Sequence, residues 1–314
     1  MAERRRAILI AGPTASGKSA AALDLAQALG GVIVNADAMQ VYAEIKVLSA
    51  RPGPEEQRLA PHRLFGHVPA RQAYSVSRWL ADARGAIGET WGKGRAAIVV
   101  GGTGLYFRSL DQGLAEVPDV PAKIRAKWRR ALAERGSEAL HEELSIRAPE
   151  EGRRLRPSDG QRIARALEVL EATGEPLAVH HARGAATSPL AGAAVTRIAI
   201  IPERAALYRR CDARFVQMME RGALDEVKRL LALDLDPALP AMRAIGVQAL
   251  ARHLTGEIDC DEAVRIAQRE TRNYAKRQLT WLRHQMPAFQ QVDDADAAVA
   301  TALTFADHED TQRP

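Results

Sequence analysis

The run Gly12-Pro-Thr-Ala-Ser-Gly17-Lys18-Ser19 spaces two glycines, a lysine and a hydroxyl as a phosphate-binding loop requires. In such a loop the backbone N–H groups and the N-terminus of the following helix surround a di- or triphosphate. The lysine neutralises it and the serine hydroxyl ligates Mg²⁺. Gly12, Pro13, Thr14, Ala15, Ser16, Gly17, Lys18 and Ser19 are therefore candidate diphosphate ligands, with Ser19 the candidate metal ligand. The motif leaves open whether the phosphates belong to a nucleotide.

The usual companions of a nucleotide hydrolase are altered. The apolar run Ala96 to Val100 ends in Gly101-Gly102-Thr103-Gly104, where a Walker B strand would place an acid beside the metal. No Asn-Lys-x-Asp guanine-reading motif is present. An acid instead closes the run Val32-Ile-Val-Asn-Ala-Asp37. In a doubly wound sheet the carboxyl ends of the strands face the ligand crevice, so Asp37 and Thr103 should open into the same cleft as the phosphate loop. On residue type alone Asp37 is a general base, a helix N-cap or an outer ligand of Mg²⁺.

These groups need a scaffold, and the sequence supplies a sufficient one. At 314 residues, 46% hydrophobic and 26% charged, the chain has the composition of a globular protein with a sizeable core. Short apolar runs at Ala7 to Ala11, Val32 to Val34, Ala96 to Val100 and Val195 to Ile201 alternate with helical patterns. That alternation predicts an α/β fold whose parallel sheet is covered on both faces. Residues 115–190 contain no convincing strand and predict a helical insertion, broken at Pro118, Pro121, Pro149, Pro157 and Gly174. One helix there carries Ser158-Asp-Gly-Gln161 as a capping box, a face of Ile163, Leu167 and Leu170, and Gly174 as its stop. The expected domains are a catalytic core of residues 1–114 and 191–314 and an insertion of residues 115–190. After Ile201 the chain reads as helical almost to Met286, with Leu207, Phe215, Met218, Val227 and Leu230 as core positions, and the tail from Asp293 reads as small, polar and partly disordered.

Charge is distributed unevenly. Residues 121–165 hold twelve Lys/Arg against seven acids, which accounts for the whole net charge of +5. From Glu262 to Met286, Arg265, Arg269, Arg272, Lys276 and Arg283 share a helical stripe opposite Val264, Ala267, Ala275, Leu282 and Met286. Localised basicity of this kind points to a polyanionic partner such as nucleic acid, although a solvated helix face has the same composition. The two cysteines, Cys211 and Cys260, make no disulfide framework and no zinc cluster, which fits a reducing, cytoplasmic setting. The start Met1-Ala-Glu-Arg-Arg-Arg6 imitates a signal peptide, but its apolar stretch ends at Gly12-Pro13, too soon for one. No run approaches the roughly 18 apolar residues of a membrane helix, so no membrane partner is expected.

Taken in order, several segments resemble one family. They are residues 12–19, Asp-Ala-Met-Gln-Val-Tyr at 37–42, Pro61-His62, Gly-Gly-Thr-Gly-Leu-Tyr at 101–106, and Gln-Arg-Ile-Ala-Arg-Ala-Leu-Glu-Val at 161–169. Arg214-Phe215 before Met218-Met219, Ile245-Gly246 and Lys-Arg-Gln-Leu-Thr-Trp-Leu-Arg at 276–283 complete the set. Together they are similar to the bacterial tRNA dimethylallyltransferases, over a span from residue 7 to about 283.

The resemblance implies a P-loop NTPase-like core with a helical insertion, and a prenyl transfer from dimethylallyl diphosphate to N6 of the adenosine 3′ of the tRNA anticodon. It assigns Asp37 as the base, Thr103 as the hydroxyl between donor and acceptor, and Arg214 as a further neutraliser of the leaving diphosphate. Mg²⁺ is the implied cofactor. By the same comparison the tRNA anticodon stem-loop would meet Asp37, Ala38, Met39, Gln40, Thr103, Arg125, Gln161, Arg162, Ile163, Ala164, Arg165, Arg243, Gly246, Gln248, Lys276, Arg277 and Arg283. A stacked adenosine must leave its stack to reach such a cleft, and Tyr42, Tyr106 and Trp281 are either stacking groups for it or core aromatics. A monomer is expected. The chain departs from the family pattern at residues 43–52, at Ala38, where Ser is common, and at Val247, where Tyr is usual. Prenyl transfer to free AMP or ATP, a P-loop kinase and a nucleotide-switched RNA-binding protein are the alternatives.

Overall fold

A computed structural model describes residues 5–184 and 187–311. Residues 1–4 of the basic start lie outside the described residues. The chain divides into two compact units, one formed by Met1–Asp111 with Pro189–Pro314 and the other by Gln112–Ser188.

The first unit begins with β1 (Arg6–Ala11), α1 (Lys18–Ala28), β2 (Val32–Asn35), α2 (Pro54–Leu59), β3 (His62–Arg63), α3 (Val76–Trp91), β4 (Ala97–Gly101) and α4 (Gly104–Gln112). It resumes with β5 (Ala194–Ile200), α9 (Arg204–Glu220), α10 (Ala223–Leu231), a 3₁₀ turn at Pro240–Arg243, α11 (Val247–Leu254), α12 (Cys260–Gln285), β6 (Gln290–Val292) and α13 (Ala295–Thr311). The second unit holds α5 (Ala122–Arg147), α6 (Pro149–Arg154), α7 (Gly160–Thr173) and α8 (Leu177–Ala182).

The sheet order is β3-β2-β4-β1-β5-β6, with every pairing parallel. Because side chains alternate across a strand, each apolar run feeds two cores. Ala7, Leu9, Val34, Ala97 and Val99 face one layer with Trp79, Phe107 and Leu282. Ile8, Ile10, Ile33, Ile98 and Val100 face the other with Leu25 of α1 and Ala298 and Ala302 of α13. A third cluster joins Val41, Tyr42 and Ile45 to Phe215, Val227, Leu230 and Val247. The helical unit has its own core of Trp128, Leu140, Leu144, Ile163 and Leu167.

Four expectations change. Strands β3 and β6 are absent from the sequence reading because they are two and three residues long and carry no fully buried residue. The tail from Asp293 is not disordered over the described residues. It forms α13, whose spaced alanines at 298, 302 and 306 are small enough to be buried, a pattern that a search for large apolar residues overlooks. The N-cap of α7 is Asp159, which makes no side-chain cap, so Ser158 and Gln161 do not form a capping box. The basic stripe of α12 is less free than its spacing suggested, since Arg265 pairs with Glu262 at 2.6 Å and Arg272 pairs with Asp212 of α9. No described helix is long and apolar enough to cross a membrane.

The close approach of β4 to the segment after β2 makes a testable demand. A Cβ on Gly101 would stand 2.1 Å from the Ala36 carbonyl oxygen, whereas one on Gly85, on the exposed side of α3, meets nothing within 4 Å. Gly101→Ala should therefore cost about 2–3 kcal/mol in urea denaturation. Gly85→Ala should add about 0.5–1 kcal/mol.

Candidate active site

The cleft forms where β2, β4 and β1, adjacent in the sheet, end side by side. Backbone bonds hold the three exits together. Gly12 N–H donates to the Gly101 carbonyl at 3.3 Å, Ala36 N–H to Val100 at 2.7 Å and Thr103 N–H to Ala36 at 3.1 Å. The phosphate loop, Asp37 and Thr103 thus occupy neighbouring positions on one edge.

The loop from Gly12 turns into α1 through Ala15 at φ +62° and Gly17 at φ +93°. A left-handed alanine costs energy and is kept only where its surroundings demand it. Lys18 is buried and its Nζ donates to the Pro13 carbonyl at 3.0 Å. Burial lowers its pKa to about 8, which the Asp37 carboxylate opposes and Arg214 reinforces. Ser16 is buried too, and its hydroxyl has no partner among the described residues. A buried cation and an unpartnered buried donor in one loop match the needs of a bound anion. Arg214 is partly buried, and burial draws its pKa down against the influence of Asp37.

Asp37 is aimed by its own turn. Asn35, fully buried, accepts from the Asp37 N–H at 2.8 Å and donates to the carbonyls of Asp37 and Leu64, each at 3.0 Å. Oδ1 of Asp37 accepts from Met39 N–H at 2.9 Å and Gln40 N–H at 3.4 Å, so the cap-like role is real. Oδ2 accepts no hydrogen bond among the described residues. Thr103 Oγ1 accepts from Ala38 N–H at 2.9 Å, which ties the two strand exits together. This contact uses the backbone, so alanine serves at position 38 as serine would.

Around the carboxylate stand phenols that sequence reasoning passed over or left ambiguous. Burial pushes the Tyr274 pKa up, with Asp37 adding to it and the Thr103 hydroxyl opposing it. Tyr106 is raised likewise by burial, then by Tyr42, Asp37 and Tyr274. Tyr106 stacks on Trp79 at 4.2 Å between centroids, and Tyr42 is 1% exposed, so both are core aromatics and not stacking platforms for a base.

Residues 43–52 are held from two sides. The buried carboxylate of Glu226 accepts from Lys46 and Val47 N–H at 2.7 Å and from Leu48 N–H at 2.9 Å. Gln40 Nε2 donates to the Ser49 and Ala50 carbonyls at 3.0 and 3.2 Å. The loop is therefore fixed despite its unusual sequence, and the Gln40 amide nitrogen is already committed within it.

Of the remaining nucleic-acid candidates, Arg243, Gln248, Lys276, Arg277 and Arg283 are exposed, whereas Gly246 is buried at φ +91° and Val247 is fully buried. In the helical unit Arg125, Gln161 and Arg162 are exposed. Ile163 and Ala164 are 0% and 4% exposed, which removes their side chains from any RNA surface; Ile163 packs in the helical core. Arg165 pairs with the buried Glu168 at 3.2 Å, and Arg162 lies 4.0 Å from Asp159.

A family model described as IPP transferase matches residues 40–285, and a second, isopentenyl transferase, matches residues 5–65. The chain belongs to the IPP transferase family. It is 54% identical over 281 residues to the tRNA dimethylallyltransferase of Chelativorans sp., covering 89% of this chain and 96% of that one. It is 51% identical over 304 residues to the tRNA dimethylallyltransferase of Rhodopseudomonas palustris, covering 96% and 94%. Among solved structures, the tRNA isopentenylpyrophosphate transferase of Bacillus halodurans is similar at TM-score 0.69 and 29% identity, over 97% of this chain and 96% of that one. A eukaryotic dimethylallyltransferase acting on tRNA is similar at TM-score 0.82 and 25% identity, over 99% and 80%. Like these relatives, the chain has a parallel α/β sheet core.

The buried lysine gives this IPP transferase a pH signature. Lys18 titrates at about 8 in the folded chain against an ordinary 10.5, so the native state holds its proton less firmly than the unfolded one. The resulting destabilisation is complete below pH 8, shrinks as pH rises from 8 to 10.5 and vanishes above. Without ligand, Lys18→Met should be the more stable protein at pH 7, by on the order of 2–3 kcal/mol. That gap should narrow to about 1 kcal/mol at pH 10 and close only above pH 10.5, and inorganic pyrophosphate should raise the melting temperature of the wild type alone.

Proposed function

We propose that the protein transfers a dimethylallyl group from dimethylallyl diphosphate to N6 of the adenosine 3′-adjacent to the tRNA anticodon, releasing diphosphate. The observation that carries this reading is the pairing, on strand exits separated only by that of β4, of an anion-binding loop with a carboxylate that keeps one oxygen unengaged. The exocyclic amine is conjugated to the purine ring and is a weak nucleophile. As its nitrogen bonds to the allylic C1, the C1–O bond to diphosphate breaks and the N–H proton passes to Asp37 Oδ2. A positioned base of this kind contributes roughly 10²- to 10⁴-fold.

Departure of the diphosphate requires neutralisation more than covalent help. Lys18, Arg214 and the Ser16 hydroxyl supply it from the protein. Among the described residues no cluster of His, Cys, Asp or Glu stands ready to hold a metal ion. The exposed hydroxyl of Ser19 is a single hard donor, which suits Mg²⁺ shared with phosphate oxygens and water. Bound there, Mg²⁺ would add positive charge beside the leaving group.

The acceptor would be extruded from its stack so that its amine reaches Asp37 and Thr103. The exposed cations Lys276, Arg277 and Arg283, with Arg125 and Arg162 of the helical unit, would hold RNA phosphates. A cytoplasmic monomer acting on the anticodon stem-loop is the corresponding cellular picture.

Asp37→Ala should lower the single-turnover rate of prenyl transfer by at least 10²-fold while tRNA affinity changes less than threefold. A near-normal rate would assign the base elsewhere. Arg125→Glu combined with Arg129→Glu, both exposed and without a described ion pair, should weaken tRNA binding and reduce the steepness of its salt dependence. Unchanged affinity and slope would remove the helical unit from RNA recognition.

A further inference from the structure

Within the RNA-facing run of α12, Gln278 breaks rank. Lys276 and Arg277 beside it are exposed, but Gln278 is 6% exposed and both ends of its amide are occupied. Its Oε1 accepts from the Thr14 N–H of the phosphate loop at 2.9 Å. Its Nε2 donates to the Gly102 carbonyl, also at 2.9 Å. The two partners are 88 positions apart in sequence and belong to different strand exits.

The glycines around Thr103 take their reason from this helix. A Cβ on Gly102 would fall 2.2 Å from Gln278 Nε2, and one on Gly104 would fall 2.0 Å from Trp281 Cδ1. Residues 278 and 281 share a helix face, so α12 seats one side chain on each glycine flanking Thr103. From there the linkage continues through Thr103, which donates to Ala36 and accepts from Ala38, to the turn that carries Asp37.

We propose that Gln278 is a positioning residue for the transfer reaction: it sets the loop that holds the diphosphate in register with the Thr103–Asp37 edge that holds the acceptor amine. The proposal rests on the functional reading above. Its physical basis is that donor carbon and acceptor nitrogen are bound by separate loops, and a misplacement of about 1 Å between reacting atoms costs on the order of 10²-fold in rate. Only a side chain carrying both an acceptor and a donor at this reach makes both bonds. Glutamate retains the bond from Thr14 N–H and loses the bond to Gly102; methionine loses both.

The test uses the full chain with unmodified tRNA and dimethylallyl diphosphate, alongside the wild type. Gln278→Met should lower kcat about 30- to 100-fold while KM for each substrate, and the affinity for inorganic pyrophosphate, stay within threefold. Gln278→Glu should retain more turnover than Gln278→Met. Turnover within threefold of wild type, or a loss confined to KM, would overturn the role. Thermal melting checks that each variant folds; if Gln278→Met does not, the kcat-against-KM split of Gln278→Glu decides by the same criterion. A wild type that leaves tRNA unmodified in the parallel reaction contradicts the reaction itself, and this role with it.

Discussion

A buried ammonium at the edge of a parallel sheet is the constraint around which this molecule is arranged. Lys18 is desolvated enough to titrate near 8, and Arg214 makes its position worse, so the unliganded loop holds positive charge under tension. An arriving diphosphate would relieve that tension, and its departure as a leaving group would be stabilised by the same charges. The sheet makes this possible by ending three neighbouring strands together, which brings Asp37 within electrostatic reach of Lys18 without contact along the chain. The flanking phenols stay protonated and crowd the carboxylate without competing for its charge.

What holds the arrangement is largely backbone hydrogen bonding capped by a few buried polar side chains. Asn35 shapes the turn at Asp37, Glu226 closes the loop that follows it, and Gln278 joins the phosphate loop to the glycine-flanked Thr103. Each of these side chains is buried with its partners satisfied. A buried polar group of this kind is costly when unpaired and specifies one geometry when paired.

The sequence disclosed the parts of the molecule whose chemistry is local. The phosphate loop reads directly because its conformation follows from two glycines and a strand-to-helix turn. The four central strands read because they are apolar on both faces. Asp37 and Thr103 could be placed in the cleft because parallel strands must end on one edge. Long-range partners did not read: nothing near Gln278 in the chain indicates that its amide spans from Thr14 to Gly102, and nothing near Glu226 indicates that it binds the backbone of Lys46 to Leu48. The edge strands β3 and β6 were too short to carry a period, and α13 packs through alanines. Spacing also overstated the available charge, because Arg272 meets Asp212 from another helix and Ile163 and Ala164 of a basic motif turn inward.

The chemistry of the molecule turns on whether the phosphate loop holds an allylic diphosphate or a nucleotide substrate. Mass spectrometry of unmodified tRNA bearing adenosine 3′ of its anticodon, incubated with the protein, Mg²⁺ and dimethylallyl diphosphate, addresses it directly, with ATP replacing the donor in a parallel reaction. That adenosine should gain one dimethylallyl group in the first reaction and none in the second. Unmodified tRNA in the first, with ATP consumed in the second, would contradict prenyl transfer.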